Sequence, residues 1–401
     1  MLCPTPTRLR IATPGEMMST NESSLLELPR RLAPSIGAAV SHIESSRSLP
    51  ERLLHELRDH GAFRMLTPRE FGGFEAPLET VLKVYAALGR LDASVAWTVW
   101  NANWGFVGAM LDQAGCDQIW ADGREPIFAN SGSPGTAVPA DGGYRLSGTW
   151  KIVTGIGQAD WLAVVCAVVE DGSQRLTERG TPDVRLFILR RGQWEMKDTW
   201  NVSGLIGSGS NDVAVHDAFV PHELVAGIEG PVRIDRPLYQ GYVPALVLPG
   251  CTAVVLGVAQ AAIEETVALA TSKKTPAGGT LSQSARTQEV IAQSEAALQA
   301  ARLLLLSAAA ALDAAGEKSE PVTIEQRALL RAAMSHGAQV SRKVLLDMYE
   351  LGSSSSLYRG NPVERLFRDG MVALQHANHS ETHFEAVGRV RFGFAPGRML
   401  F

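Results

Sequence analysis

The spacing of apolar residues changes twice along this 401-residue chain, so neither an all-helical nor an all-strand fold accommodates it. From Ser24 to about Ala121 apolar residues recur at three and four, as in LPERLLHELRDHGAF and LETVLKVYAALGRLD, interrupted by a loop at Gly72-Gly73. From about Ile127 to Leu224 the period moves towards two, in GYRLSGTWKIVTG, DWLAVVCAV, VRLFILRRGQWEMKD and DVAVHDAFVP, with Gly, Asp and Pro between the runs. From Gly250 the pattern is long and helical again, clearest in Ser294 to Ala315 and Glu325 to Leu351. The expected class is α+β, in the order helices, sheet, helices. Its divisions are a disordered extension over 1–22, a helical domain over 23–125, a β domain over 126–228 and a helical bundle over 229–401.

Composition narrows the function. Hydrophobic residues make up 45% of the chain, enough for a sizeable core. The formal net charge of −5, with no basic run, argues against nucleic acid or an anionic membrane as partner, and leaves a small molecule as the expected ligand. The cysteines at 3, 116, 166 and 251 form no CxxC, so neither a zinc site nor a disulfide framework is indicated. The first twenty residues hold three prolines and no apolar run long enough for a signal peptide, and a cytoplasmic location is expected. The C-terminal helices carry Ala and Leu on more than one face, which points to burial between subunits in a dimer or tetramer.

Chemistry concentrates in the tail, Gly352 to Arg389: GSSSSLYRGNPVERLFRDGMVALQHANHSETHFEAVGR. A small-residue loop, Gly352 to Ser356, leads through Asn361-Pro362 into a run of helical spacing. There Arg365 and Arg368 precede Asp369, and His376, His379 and His383 stand at i, i+3 and i+7, able to share one helical face. The N-P-x-E-R-x-x-R-D pattern resembles the last helices of the acyl-CoA dehydrogenase superfamily. The histidines that follow resemble its two-component flavin-dependent monooxygenase branch, similar to indole and phenol hydroxylases. That resemblance implies an N-terminal helical domain, a central β-barrel or sandwich and a C-terminal four-helix bundle, assembled as a homo-oligomer.

Two further blocks carry the resemblance. Asp141 to Trp161 is similar to the family's strand passing the flavin ring, which implies that Trp150 flanks the isoalloxazine and that the Thr154 hydroxyl lies near its N5 and O4 edge. Read as residues alone, Trp150 is an ordinary core aromatic and Thr154 a strand-end hydroxyl. Thr199 to Pro221 is similar to the G-x-x-G-T-G-S-x-D block, with Trp200 near its start; Trp200, Gly207, Ser208, Gly209 and Ser210 are the implied cofactor-binding residues, and Ser208 replaces the usual threonine. Ser131 and Ser133, in FANSGSPG, either bond the ring and line the cavity or form a polar turn. LDASVAWTVWNANWGF resembles the family's D-x-S-x-A helix, but Asn101 stands where related monooxygenases place a histidine nearby. Trp100, Asn101, Asn103 and Trp104 are therefore candidate pocket lining.

A dehydrogenase needs a carboxylate base, and neither Glu350 nor Glu381 matches its place. An imidazole, with an ordinary pKa of about 6.5, handles protons near neutrality. The expected catalytic groups are His376, then His379, with Ser131; His383 is expected outside the pocket. No metal is expected, because no carboxylate cluster accompanies the histidines. The chain has no G-x-G-x-x-G turn, so the flavin, reduced FAD or alternatively FMN, is expected from a separate flavin reductase. Its adenine end is expected near Lys273, Lys274 and Gln288.

The implied activity is hydroxylation of an indole- or phenol-like aromatic small molecule through a flavin C4a-hydroperoxide, against a wall of Trp97, Trp100 and Trp104, in secondary metabolism. The alternatives are an acyl-CoA dehydrogenase or oxidase, an amino-sugar N-oxygenase, and a helical assembly protein that binds no flavin.

Overall fold

The computed structural model describes residues 14–178, 180–228, 232–276, 278–397 and 401, with side chains from residue 22. Helices α1 (Pro14–Ser46), α2 (Glu51–Asp59), α3 (Leu78–Leu91), α4 (Ala93–Ala102) and α5 (Gln113–Ile119) form the N-terminal unit. Helix α1 begins inside the stretch expected as a disordered extension; residues 1–13, with Cys3, lie outside the described residues. The start of α4 is set by Asp92, whose extended backbone and carboxylate, accepting from the Val95 amide at 3.0 Å, make an N-cap.

The β unit is one continuous ladder of β1 (Phe128–Ala140), β2 (Gly143–Val153), β3 (Trp161–Glu170), β4 (Ser173–Gln174), β5 (Val184–Arg190), β6 (Glu195–Lys197), β7 (Asn211–Pro221) and β8 (Val225–Gly227). The strand order is β6-β7-β2-β1-β3-β5-β8, with β4 paired to β3. Strands β1 and β3 run parallel, and the other pairs are antiparallel. Two irregularities shape the site: β1 shifts register between Ser131 and Gly135, and β2 shifts against β7 between Trp150 and Val153.

Two short helices, α6 (Pro237–Gln240) and α7 (Pro244–Val247), lead into α8 (Gly250–Ser272), α9 (Ala285–Glu317), α10 (Ile324–Gly352), α11 (Pro362–Ala373) and α12 (Thr382–Arg391). Helix α8 is apolar on every side and correspondingly buried. It crosses α3 at backbone contact: a Cβ on Gly257 would fall 2.0 Å from the Ala86 carbonyl oxygen, and one on Gly89 2.5 Å from that of Val254. Helix α11 starts as its sequence suggests, with Pro362 in the first turn and the Asn361 side chain accepting from the Val363 amide at 2.9 Å.

The histidine run departs from expectation. Helix α11 ends at Ala373, a 3-10 turn spans Ala377–His379, and α12 starts at Thr382, so the three histidines share no single helical face. The cause is local: His376 takes extended backbone angles and its ring accepts the Asn378 amide, the way a capping side chain competes with helix continuation.

Candidate active site

Helix α4 and the turn after α11 meet at a cluster of rings. His376 lies edge-on to Trp97, with centroids 5.6 Å apart, and to Trp100 at 5.4 Å. The Trp100 indole N–H donates to the Val247 carbonyl at 2.7 Å, which fixes that wall. His376 keeps part of its surface open, yet the protein around it strips hydration and lowers its pKa to about 4. His379, 6.2 Å away by centroid, is buried. Burial, then the neighbouring His376, bring its pKa down to about 3. Both rings are therefore neutral at physiological pH.

Hydrogen-bond partners assign the tautomers. A carbonyl only accepts, so Nδ1 of His379, 3.2 Å from the Ala373 oxygen, carries that ring's proton. Its Nε2 is a buried lone pair with no hydrogen-bond partner among the described residues. His376 is the reverse, since Nδ1 accepts from the Asn378 amide and the proton sits on Nε2. Nε2 of His383 donates to Ala377 at 3.3 Å.

Next to Trp100 on α4, Asn101 is tied to β1 by paired amides. Asn130 Nδ2 donates to the Asn101 carbonyl at 2.9 Å and to Asn101 Oδ1 at 3.3 Å, while Asn101 Nδ2 donates to Trp97 O at 2.9 Å. Next to Asn130, Ser131 is 9% exposed and its Oγ accepts the Ser133 amide at 3.4 Å, where β1 leaves its ladder. Asn103, expected in the pocket, is not there. Its Oδ1 accepts from Met65 N, and its Nδ2 donates to Ala62 O and Val99 O, so its whole amide is spent joining α4 to the loop after α2. Trp104 is buried against Phe106.

On the sheet side, three buried hydroxyls form a row: Thr154 Oγ1 lies 3.0 Å from Ser210 Oγ, which lies 2.8 Å from Ser208 Oγ. The Gly155 amide closes the junction by donating to the Ser208 carbonyl at 2.9 Å. Trp200 is buried and its indole N–H donates to Leu205 O at 3.1 Å, within the same loop.

Two expected cofactor contacts are corrected. Trp150 is 1% exposed and its N–H donates to Ser133 O at 2.8 Å, so it packs inside the sheet and offers no face to a ligand. The register shift turns Ile152 outward instead, 63% exposed at φ 57°, its amide held by Asp212. Gly207 does not cradle a ligand either: a Cβ there would lie 2.0 Å from Ile43 Cγ2 and 3.2 Å from Ser94 Cβ, so the glycine lets α1 and α4 close on the loop.

Asn130, Ile152, Asp92 and the linkages of Arg365 and Asp369 were not singled out as site residues. Asp92 had a signal, an aspartate directly before an apolar helical run. Asn130 and Ile152 had none.

An isoalloxazine needs an apolar face and a hydrogen-bonding edge. Ile152 on β2 offers exposed apolar surface, and Thr154, two residues on, begins a row of buried hydroxyls bonded to one another, so an apolar face and a polar edge of the kind a flavin calls for lie side by side on this strand. Of the residues expected at the adenine end, Lys273 Nζ donates to Gly352 O at 2.6 Å, Gln288 donates to Ser282 O, and Lys274 pairs with Thr280.

Residues 25–120 match the model of the acyl-CoA dehydrogenase N-terminal domain, and residues 250–381 that of the acyl-CoA dehydrogenase C-terminal domain. Indole-3-acetate monooxygenase of Pseudomonas putida is 26% identical over 364 residues, spanning 90% of this chain and 91% of that protein. The flavin-dependent monooxygenase oxygenase subunit HsaA of Mycobacterium tuberculosis is 26% identical over 392 residues, spanning 93% and 96%. XiaF from Streptomyces sp., solved in complex with FADH2 and glycerol, shares the fold with a TM-score of 0.86 at 24% identity, covering 96% of this chain and 98% of its own.

Proposed function

Because the chain belongs to the acyl-CoA dehydrogenase family, we propose that it is the oxygenase component of a two-component, reduced-flavin-dependent monooxygenase that hydroxylates an aromatic small molecule. The observation that carries this reading is His376: a neutral imidazole set edge-on to Trp97 and Trp100, where α-proton removal would call for a carboxylate.

Reduced flavin, when bound, supplies the two electrons with which dioxygen puts one oxygen atom into the substrate and releases the other as water. Thr154, Ser208 and Ser210 would hold its polar edge and Ile152 its apolar face. The aromatic wall of Trp97 and Trp100 excludes water from the reacting centre. With its proton on Nε2, His376 would donate a hydrogen bond to the oxygen of a phenol-type substrate and orient its ring for oxygen transfer. The Asn101–Asn130 amide pair ties β1 to the helix that carries Trp97 and Trp100.

The cofactor in this reading is a reduced flavin, FAD with FMN as the alternative, supplied by a separate reductase; the oxygenase-subunit name of HsaA supports a separate supplier. The active species is a homo-oligomer. Helix α9 is long and apolar enough to cross a bilayer, yet only 33% of its most apolar stretch is buried, and Leu303 is 56% exposed. A second copy of the chain covers that face in this reading.

The test is turnover of indole- and phenol-type substrates with reduced FAD, a flavin reductase and ¹⁸O₂. One labelled oxygen in the product supports the proposal. No product, together with bleaching of oxidised flavin by an acyl-CoA under anaerobic conditions, makes the chain a dehydrogenase instead.

A further inference from the structure

Helix α11 does more than lead to His376. Arg365 Nη1 donates to Asp92 Oδ2 at 2.6 Å, and Oδ1 of the same carboxylate caps α4. One turn on, Asp369 Oδ1 accepts the Leu205 amide at 2.7 Å, with the aspartate 1% exposed. Arg368 donates to Ser203 O and to Glu44 Oε2 on α1 at 3.1 Å. A Cβ on Gly204 would fall 2.3 Å from the Arg368 carbonyl oxygen, so the loop lies directly on the helix backbone. One helix thus holds the tryptophan wall, α1 and the loop that carries Ser208 and Ser210.

Leu205 sits in the left-handed region, at φ 51° and ψ 32°, and begins the 3-10 turn Ile206–Ser208. A non-glycine residue stays there only when its surroundings over-determine it. Among the described residues, the hydrogen bond fixing the Leu205 amide comes from Asp369.

We propose that Asp369 is a positioning residue: its carboxylate holds Leu205 in the left-handed conformation and so sets Ser208 and Ser210 in register with Thr154 at the flavin edge. This rests on the flavin reading above. Burial, then the Asp92 carboxylate, push the Asp369 carboxyl up to about 7, partly offset by the Leu205 amide and then by Arg365.

The experiment compares Asp369→Ala and Asp369→Asn, measuring anaerobic binding of reduced FAD and amide hydrogen exchange over residues 205–210. The hydrogen bond to the Leu205 amide is lost in the alanine variant, so reduced-FAD affinity falls by about tenfold or more and exchange in the loop accelerates. Asparagine keeps an oxygen for the Leu205 N–H and stays within about threefold of wild type, with the loop still protected. A folded alanine variant with wild-type affinity or unchanged loop exchange overturns the proposal. So does an asparagine variant as weak as alanine, and this second arm decides alone if the alanine variant does not fold. Wild-type protein that binds no reduced flavin at all sinks the functional reading itself, whatever the loop exchange shows.

Discussion

The Asn378 amide donates to Nδ1 of His376 across 3.2 Å, so the same bond that breaks the tail helix also decides which nitrogen of the ring keeps its proton. That leaves Nε2 of His376 as a hydrogen-bond donor, and burial lowers the ring's pKa to about 4, so it is neutral near pH 7.

His376→Ala is expected to retain reduced flavin and to lose hydroxylation by on the order of 10²- to 10³-fold, the usual cost of one donor aimed at developing charge. Electrons then leave as hydrogen peroxide in place of product. Coupled product and peroxide assays check this, and wild-type product yield takes His376 out of the mechanism.

Arg365→Ala strands the Asp92 carboxylate, which is 1% exposed in its pair with the arginine. Removing one partner of a buried pair costs roughly 3–5 kcal/mol. Urea unfolding measures it. A loss within experimental error would mean that the α4 cap stands without α11.

Gly207→Ala places a methyl against Ile43, a buried β-branched side chain with little freedom to yield. Overpacking of this kind costs about 1–3 kcal/mol. The midpoint of thermal unfolding should drop, and a variant of unchanged midpoint would show that the loop moves freely off α1.

Glu125 provides a pH test away from the reaction. Burial raises its carboxyl to about 8, while the Thr67 hydroxyl donates to it at 2.9 Å. An acid with a raised folded-state pKa contributes stability that is complete below its unfolded value of about 4.5 and is lost as pH climbs through about 8. Glu125→Gln should therefore gain on wild type as pH rises from about 4.5 to about 8, with a level gap above that, in parallel unfolding curves. A constant gap between the two proteins would show that Glu125 ionises without penalty.

Much of the architecture was legible because its causes are local. Apolar spacing placed the helices of the two flanking units and most strands, and Asn361-Pro362 marked where α11 starts. The Ser208–Ser210–Thr154 row also joins two blocks that the sequence offered through their resemblance to the family, Thr154 read by itself being a strand-end hydroxyl.

Side-chain direction was not legible where the repeat is interrupted. Strict alternation puts Trp150 and Ile152 on one face of β2, but the register shift between Trp150 and Val153 buries the first and exposes the second. Helical spacing put three histidines in a line, whereas one backbone-to-ring hydrogen bond breaks the helix at His376 and still leaves His376 and His379 neighbours. The order of elements and the chemistry of the tail were thus determined by the amino-acid sequence itself, through short-range periodicity. Which of those groups face one another was decided by tertiary structure, because Asp92 with Arg365 and Leu205 with Asp369 are pairings between residues more than one hundred and sixty positions apart, and no local pattern encodes them.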